Sequence, residues 1–130
     1  MTAPHTNAVI VTHGRLGQEL VNSSRKITGV MDGVKALSNT GLSNQELARK
    51  IVAELQASGD GRCIIFTDMP AGSCYIAAMY AVREVTGHAI VTGINLPMLL
   101  DFLTKRDSVD FEELVEHLLD TGDKSHKRAP

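Results

Sequence analysis

The chain has 130 residues, 43% of them hydrophobic and 22% charged, with a formal net charge of -2 at pH 7. That length suits one domain with a normal core, and the mixed charges exclude the basic footprint of a nucleic-acid binder. No apolar run is long enough to span a bilayer, so direct membrane insertion is not expected.

In chain order, residues 1–7 are polar and read as an extended or disordered N-terminal segment. They lack the basic and apolar regions of a secretory signal. Ala8 to Thr12 is a short β-branched apolar run and predicts a strand that ends beside His13 and Gly14. Leu16, Leu20, Val21, Ser24 and Ile27 then fall near one face of a helix that stops at Gly29. Val34 to Leu37 is a weaker candidate strand. Ser43 and Glu46 have capping-box spacing and open a helix with Leu47, Ile51, Val52 and Leu55 on one side. Cys63 to Thr67 is the clearest buried strand. A loop, Asp68 to Ser73, follows, with Ser73 as the expected N-cap of a helix from about Cys74 to Val85. Ala89 to Thr92 is the next strand. Pro97, after Asn95 and Leu96, takes a favoured first-turn position of another helix. Asp110 and Glu113 have the spacing to cap a last helix that carries Leu114, Val115, Leu118 and Leu119. The domain is expected over residues 8–122, and residues 123–130 read as a polar tail.

Strands alternating with helices predict an α/β fold: an open, mostly parallel, doubly wound sheet with helices on both faces. Strands that read as continuous apolar runs agree with that burial. Cys63 and Cys74 are the only cysteines, and Cys63 opens a buried strand, so disulfides are not expected and the cytoplasm is the expected location. No Cys/His cluster has zinc spacing, so neither a metal nor a cofactor is expected.

In such a sheet, ligands bind beyond the carboxyl ends of the strands. Three loops meet that edge. They carry His13 and Gly14; Asp68, Gly72 and Ser73; and Gly93 and Asn95. An imidazole beside helix N-termini suits a group that receives a phosphoryl group, because unpaired amides and the helix dipole favour an anion. A carboxylate on one ring nitrogen fixes the tautomer and leaves the other nitrogen free to attack phosphorus. His13 and Asp68 are therefore the candidate catalytic pair. Gly14, Gly72, Ser73 and Asn95 are candidate phosphate-binding or supporting residues. His88 and His117 read as structural or solvated residues, and His5 and His126 lie in the terminal segments.

Val9 to Gly17, Phe66 to Ser73, and Val91 to Leu99 resemble the three signature blocks of mannose-type IIA domains of the bacterial phosphoenolpyruvate-dependent sugar phosphotransferase system. The similarity runs from about Val9 to Gly122, with the blocks in the same order and spacing. The resemblance implies a cytoplasmic, homodimeric phosphocarrier of the transferase (kinase) class. It would take a phosphoryl group from phospho-HPr on a histidine and pass it to a IIB component for sugar uptake. His13 matches the phosphorylated histidine, Asp68 the aspartate that holds its ring, and Ser73 a serine near the phosphorylated nitrogen. The second block departs from the family pattern of two glycines, serine, proline and a later asparagine, because Ala71, Cys74 and Ile76 stand here. The alternative is a regulatory phosphotransfer module on the same fold, sensing phosphorylation state or serving dihydroxyacetone kinase, without a transport role. A nucleotide- or flavin-binding domain is disfavoured, because no strand is followed by a Gly-x-Gly-x-x-Gly or Walker pattern.

Overall fold

The apolar runs and amphipathic segments become strands alternating with helices, closed by two consecutive helices, in the computed structural model, which describes residues 5–130. In chain order the elements are β1 (Asn7–Thr12), α1 (Leu16–Thr28), β2 (Val34–Ser38), α2 (Asn44–Ala57), β3 (Cys63–Thr67), α3 (Gly72–Glu84), β4 (Ala89–Thr92), α4 (Leu96–Lys105) and α5 (Phe111–Lys124). β1 starts one residue earlier than expected, at Asn7, and α5 continues into the expected polar tail as far as Lys124. Part of the expected N-terminal segment, residues 1–4, lies outside the described residues.

All four strands pair in parallel, in the order β2-β1-β3-β4. Successive side chains of a strand point to opposite faces, and the two faces meet different helices. Ala8 and Ile10 of β1 join Ile64 and Phe66 of β3 in one core with Val21 of α1, Leu99 and Phe102 of α4, and Leu114 and Leu118 of α5. Val9, Val11, Cys63 and Ile65 point the other way, onto Leu47, Ile51 and Leu55 of α2 and Ala77, Ala78 and Ala81 of α3. A fully buried side chain such as Phe66 or Ile51 contributes about 1.5–3 kcal/mol. β1 and β3 are apolar on both faces because helices cover both.

The helix starts follow from local chemistry. Ser43 accepts from the Glu46 N–H at 3.1 Å, and the Glu46 carboxylate accepts from the Ser43 N–H at 3.2 Å, as the capping box predicts. Asn95 caps α4 with Pro in the first turn, and Asp110 caps α5. α1 ends at Gly29 in the left-handed conformation, φ 75°. Leu20 and Val21 pack inward, but Ile27 and Leu16 are exposed, so the inward face of α1 is shorter than the spacing suggested. The expected N-cap Ser73 of a helix from about Cys74 needs correction: α3 begins at Gly72, its N-cap is Ala71, and Ser73 lies inside the first turn.

Two long-range contacts position the loops. Arg106, 3% exposed, donates from Nε and Nη2 to the Thr6 carbonyl and from Nη1 to the Asp32 carbonyl. It ties the end of α4 to the start of β1 and to the turn before β2. At the other end of β1, the buried Thr12 hydroxyl oxygen accepts from the Gly17 N–H at 2.7 Å. This supplies the cap that α1 lacks at Arg15, among the described residues.

Thr12→Val keeps the shape of the side chain and leaves the Gly17 N–H without its acceptor. It is expected to destabilise the fold by about 1–3 kcal/mol, read as a lower urea midpoint with an unchanged slope; an unchanged midpoint refutes the capping role.

Candidate functional site

The strand order reverses direction between β1 and β3, because the chain leaves β1 toward β2 and later returns to the other side of β1 at β3. This reversal opens a crevice at the carboxyl edge of the sheet. The loops after the two strands flank it, and they carry His13 and Asp68. Register fixes their separation: Val11 pairs with Thr67, so the strand ends are level.

The two side chains meet. Oδ2 of Asp68 lies 2.9 Å from Nδ1 of the His13 ring and also accepts the His13 backbone N–H at 3.0 Å. The histidine side chain is 43% exposed and the aspartate 13%. Burial alone raises the Asp68 pKa, but the two hydrogen bonds from His13 outweigh it and hold the carboxyl below its ordinary value. An ionised carboxylate only accepts, so Nδ1 must carry the ring proton. The neutral ring then has its lone pair on Nε2.

The other expected site residues lie around this pair. Gly14 turns the chain at φ 59°, and its N–H donates to Oδ1 of Asn39 at 3.3 Å. Nδ2 of the same Asn39 donates to the Ser73 hydroxyl oxygen at 3.1 Å. Gly72, at φ 86°, lets the start of α3 pass close to the imidazole. A Cβ there would stand 3.4 Å from Nε2 and Cε1 of His13, in a backbone conformation that L side chains rarely adopt. Among the described residues, no N-cap side chain bonds the first-turn amides of α3, in contrast to α2, α4 and α5. Asn95 sits on the same sheet edge, and its side chain is engaged by other partners. Its Oδ1 accepts from Met98 N–H at 3.0 Å and its Nδ2 donates to Ser125 Oγ at 2.9 Å.

Asn39 was not singled out from the sequence, and Cys74 only as a departure from the family pattern. Asn39 follows β2, and the carboxyl end of every parallel strand faces the same edge, so topology was the available signal. Cys74 is fully buried in α3, with Sγ 3.8 Å from His13 Nδ1. Burial, and then the nearby Asp68 carboxylate, push its thiol up to about 11. His88 and His117 have structural partners. His88 Nδ1 accepts the Cys63 backbone N–H at 2.9 Å, and burial, then Arg62, lower its pKa. His117 pairs with Asp101 at 2.7 Å.

The fold and the site define a doubly wound α/β domain with an exposed histidine, held by a carboxylate, at its topological switch point. A family model described as "PTS system fructose IIA component" matches residues 7–119. The "PTS system mannose-specific EIIAB component" of Escherichia coli (strain K12) is 30% identical over 117 residues, which cover 88% of this chain and 36% of that relative. The chain thus spans about a third of the length of the mannose-specific relatives it matches. The "PTS system sorbose-specific EIIA component" of Lacticaseibacillus casei is 31% identical over 75 residues, covering 58% of this chain and 54% of that one. Among solved structures, the phosphotransferase system component EIIA from Streptococcus agalactiae superposes with a TM-score of 0.87 at 19% identity, covering 95% of this chain and 96% of that one. The mannose/sorbose-specific IIA subunit from Enterococcus faecalis gives 0.86 at 21% identity, covering 97% and 96%. The chain belongs to the mannose-type IIA family of the sugar phosphotransferase system. Among the described residues, no helix is long and apolar enough to cross a membrane.

Because the Asp68 pKa is lowered in the fold, its contact with His13 stabilises the native state above the ordinary carboxylate range. That stability is lost as pH falls through the lowered value. Asp68→Asn is therefore expected to be less stable than wild type near pH 7, with the gap narrowing below about pH 4. Urea unfolding at both ends of that range checks it, and a gap independent of pH counts against the ionised contact.

Proposed function

We propose that this chain is a cytoplasmic phosphocarrier that accepts a phosphoryl group from phospho-HPr on Nε2 of His13 and passes it to a IIB component serving sugar uptake. The observation that carries this reading is the 2.9 Å contact between Nδ1 of His13 and Oδ2 of Asp68 on an exposed edge. Family membership supplies the context.

The chemistry follows from the pair. The Nε2 lone pair attacks the phosphorus of a phosphohistidine donor in line. The new N–P bond forms as the donor's N–P bond breaks, and the donor ring keeps the released electron pair. His13 carries the phosphoryl group on Nε2 and its proton on Nδ1, so its ring becomes cationic. Asp68 stabilises that charge and has no need to take the proton. Catalysis in such transfers is chiefly positioning and charge stabilisation.

The phosphoryl oxygens need donors. The first-turn amides of α3 are free of an N-cap side chain and start beside the ring, at Gly72. One such placed donor is worth roughly 3 kcal/mol in transfer. Asn39 links the Gly14 amide to Ser73, which holds the two loops at a set separation. Asn95 supports the neighbouring helix start. Leu16, three residues after His13, and Met69, directly after Asp68, are both 47% exposed and offer apolar surface for docking by protein donors and acceptors. The family context also supports action as a homodimer.

The deciding experiment mixes the protein with phosphoenolpyruvate, enzyme I and HPr. The expected product carries an acid-labile, alkali-stable phosphate that maps to His13. His13→Ala is expected to accept none, and phosphorylation of that variant overturns the assignment. Asp68→Ala is expected to keep the fold and slow transfer by on the order of 10²-fold or more; unchanged kinetics remove Asp68 from the mechanism. Gly72→Ala, with a methyl against Nε2, is expected to slow acceptance while His13 stays in place. A wild-type rate in that variant would show that α3 does not hold the transferred group.

A further inference from the structure

Cys74 stands where the family pattern has proline, and the function proposed above gives it no task. His13, Asp68 and Cys74 each offer one ligand atom, and the three atoms all lie within 4.8 Å of one another. From His13 Nδ1, the Asp68 oxygen is 2.9 Å away and the Cys74 sulfur 3.8 Å. Zinc bonds of about 2.0–2.3 Å in a tetrahedron set donor atoms roughly 3–4 Å apart. A second observation points to the same spot. Oδ1 of Asp68 is buried and has no hydrogen-bond partner among the described residues, so this carboxylate has unspent acceptor capacity beside the ring.

We propose that His13, Asp68 and Cys74 form an inhibitory binding site for a thiophilic divalent cation, zinc above all, and that the cation and the phosphoryl group exclude each other. The nitrogen, oxygen and sulfur donor set disfavours magnesium and calcium, which take oxygen ligands, and suits zinc. Three protein ligands leave the fourth position for water, on the side where His13 is exposed. A cation there offsets both the burial of the thiol and the charge of Asp68, so the sulfur binds as thiolate.

The exclusion follows from proton bookkeeping on one ring. The cation takes the Nδ1 lone pair, and the ring proton moves through solvent from Nδ1 to Nε2. The thiol proton is released, so one proton leaves per ion bound. Nε2 then carries N–H and has no lone pair for phosphorus. Conversely, a ring phosphorylated on Nε2 holds its proton on Nδ1 and presents a positive charge to the ion. This second half rests on the phosphocarrier reading; the ligand set does not.

Two measurements on the whole chain separate these halves. Metal-free protein is titrated with cobalt(II), whose thiolate complex absorbs in the near ultraviolet by charge transfer from sulfur. The band is expected to appear at one equivalent in wild type and to vanish in Cys74→Ser, with affinity down more than about tenfold. No band in wild type, or a band kept in Cys74→Ser, overturns the site, and the wild-type titration decides even if the variant folds poorly. In the second measurement, purified phospho-HPr is the donor, and each protein's acceptance with one equivalent of zinc is divided by its own acceptance without zinc. The ratio is expected to fall at least about tenfold in wild type, to recover on chelation, and to stay near one in Cys74→Ser. Equal ratios in the two proteins overturn the exclusion. If wild type accepts no phosphate even without zinc, the phosphocarrier reading fails while the cobalt band still decides the metal site.

Discussion

A single carboxylate oxygen, Oδ2 of Asp68, organises the working edge of this protein. It accepts both the backbone N–H and the ring N–H of His13, so one atom fixes where the loop after β1 turns and how the imidazole points. The double hydrogen bond keeps the acid ionised although it is mostly buried. An ionised acceptor dictates the tautomer, and the tautomer leaves the lone pair of the neutral ring on Nε2. Geometry, charge state and reactivity therefore depend on the same contact.

That contact exists because of strand order. β1 and β3 are neighbours in the sheet but lie about fifty residues apart in the chain, and the segment between them makes α1, β2 and α2. Their level register puts the two following loops side by side. The strands are rigid there, apolar on both faces and covered by helices, so the loops start from fixed positions. α2, α4 and α5 spend a side chain on capping their first amides, and α1 borrows Thr12. α3 starts against His13 with Ala71 at its N-cap and no capping side-chain hydrogen bond.

Much of the architecture was legible in the chain. The β-branched runs at Val9–Val11 and Cys63–Phe66 and the Ser43/Glu46 box are local signals, and local signals survive folding. The site was half legible. His13 and Asp68 could be named because parallel strands send their carboxyl ends to one edge. Asn39 was missed because β2 is short and weakly apolar, so its loop drew no attention. Ser73 looked like an N-cap because its residue type favours one, but Gly72 at φ 86° starts the helix about two residues earlier than expected, and the Ser73 hydroxyl accepts from Asn39 inside its first turn. Ile27 kept the helical spacing but falls on a turn that extends past the core.

The sequence by itself determined the alternating elements, the parallel sheet and the residue types at its edge, because hydrophobic period and capping chemistry act over a few residues. Tertiary structure alone decided that Arg106 would tie α4 to Thr6 and Asp32, that one Asp68 oxygen would take two bonds from His13, and that the Cys74 sulfur would come within 3.8 Å of the same ring. Those are contacts of distant chain segments, set by strand order and by ångström-scale packing that no spacing along the chain records.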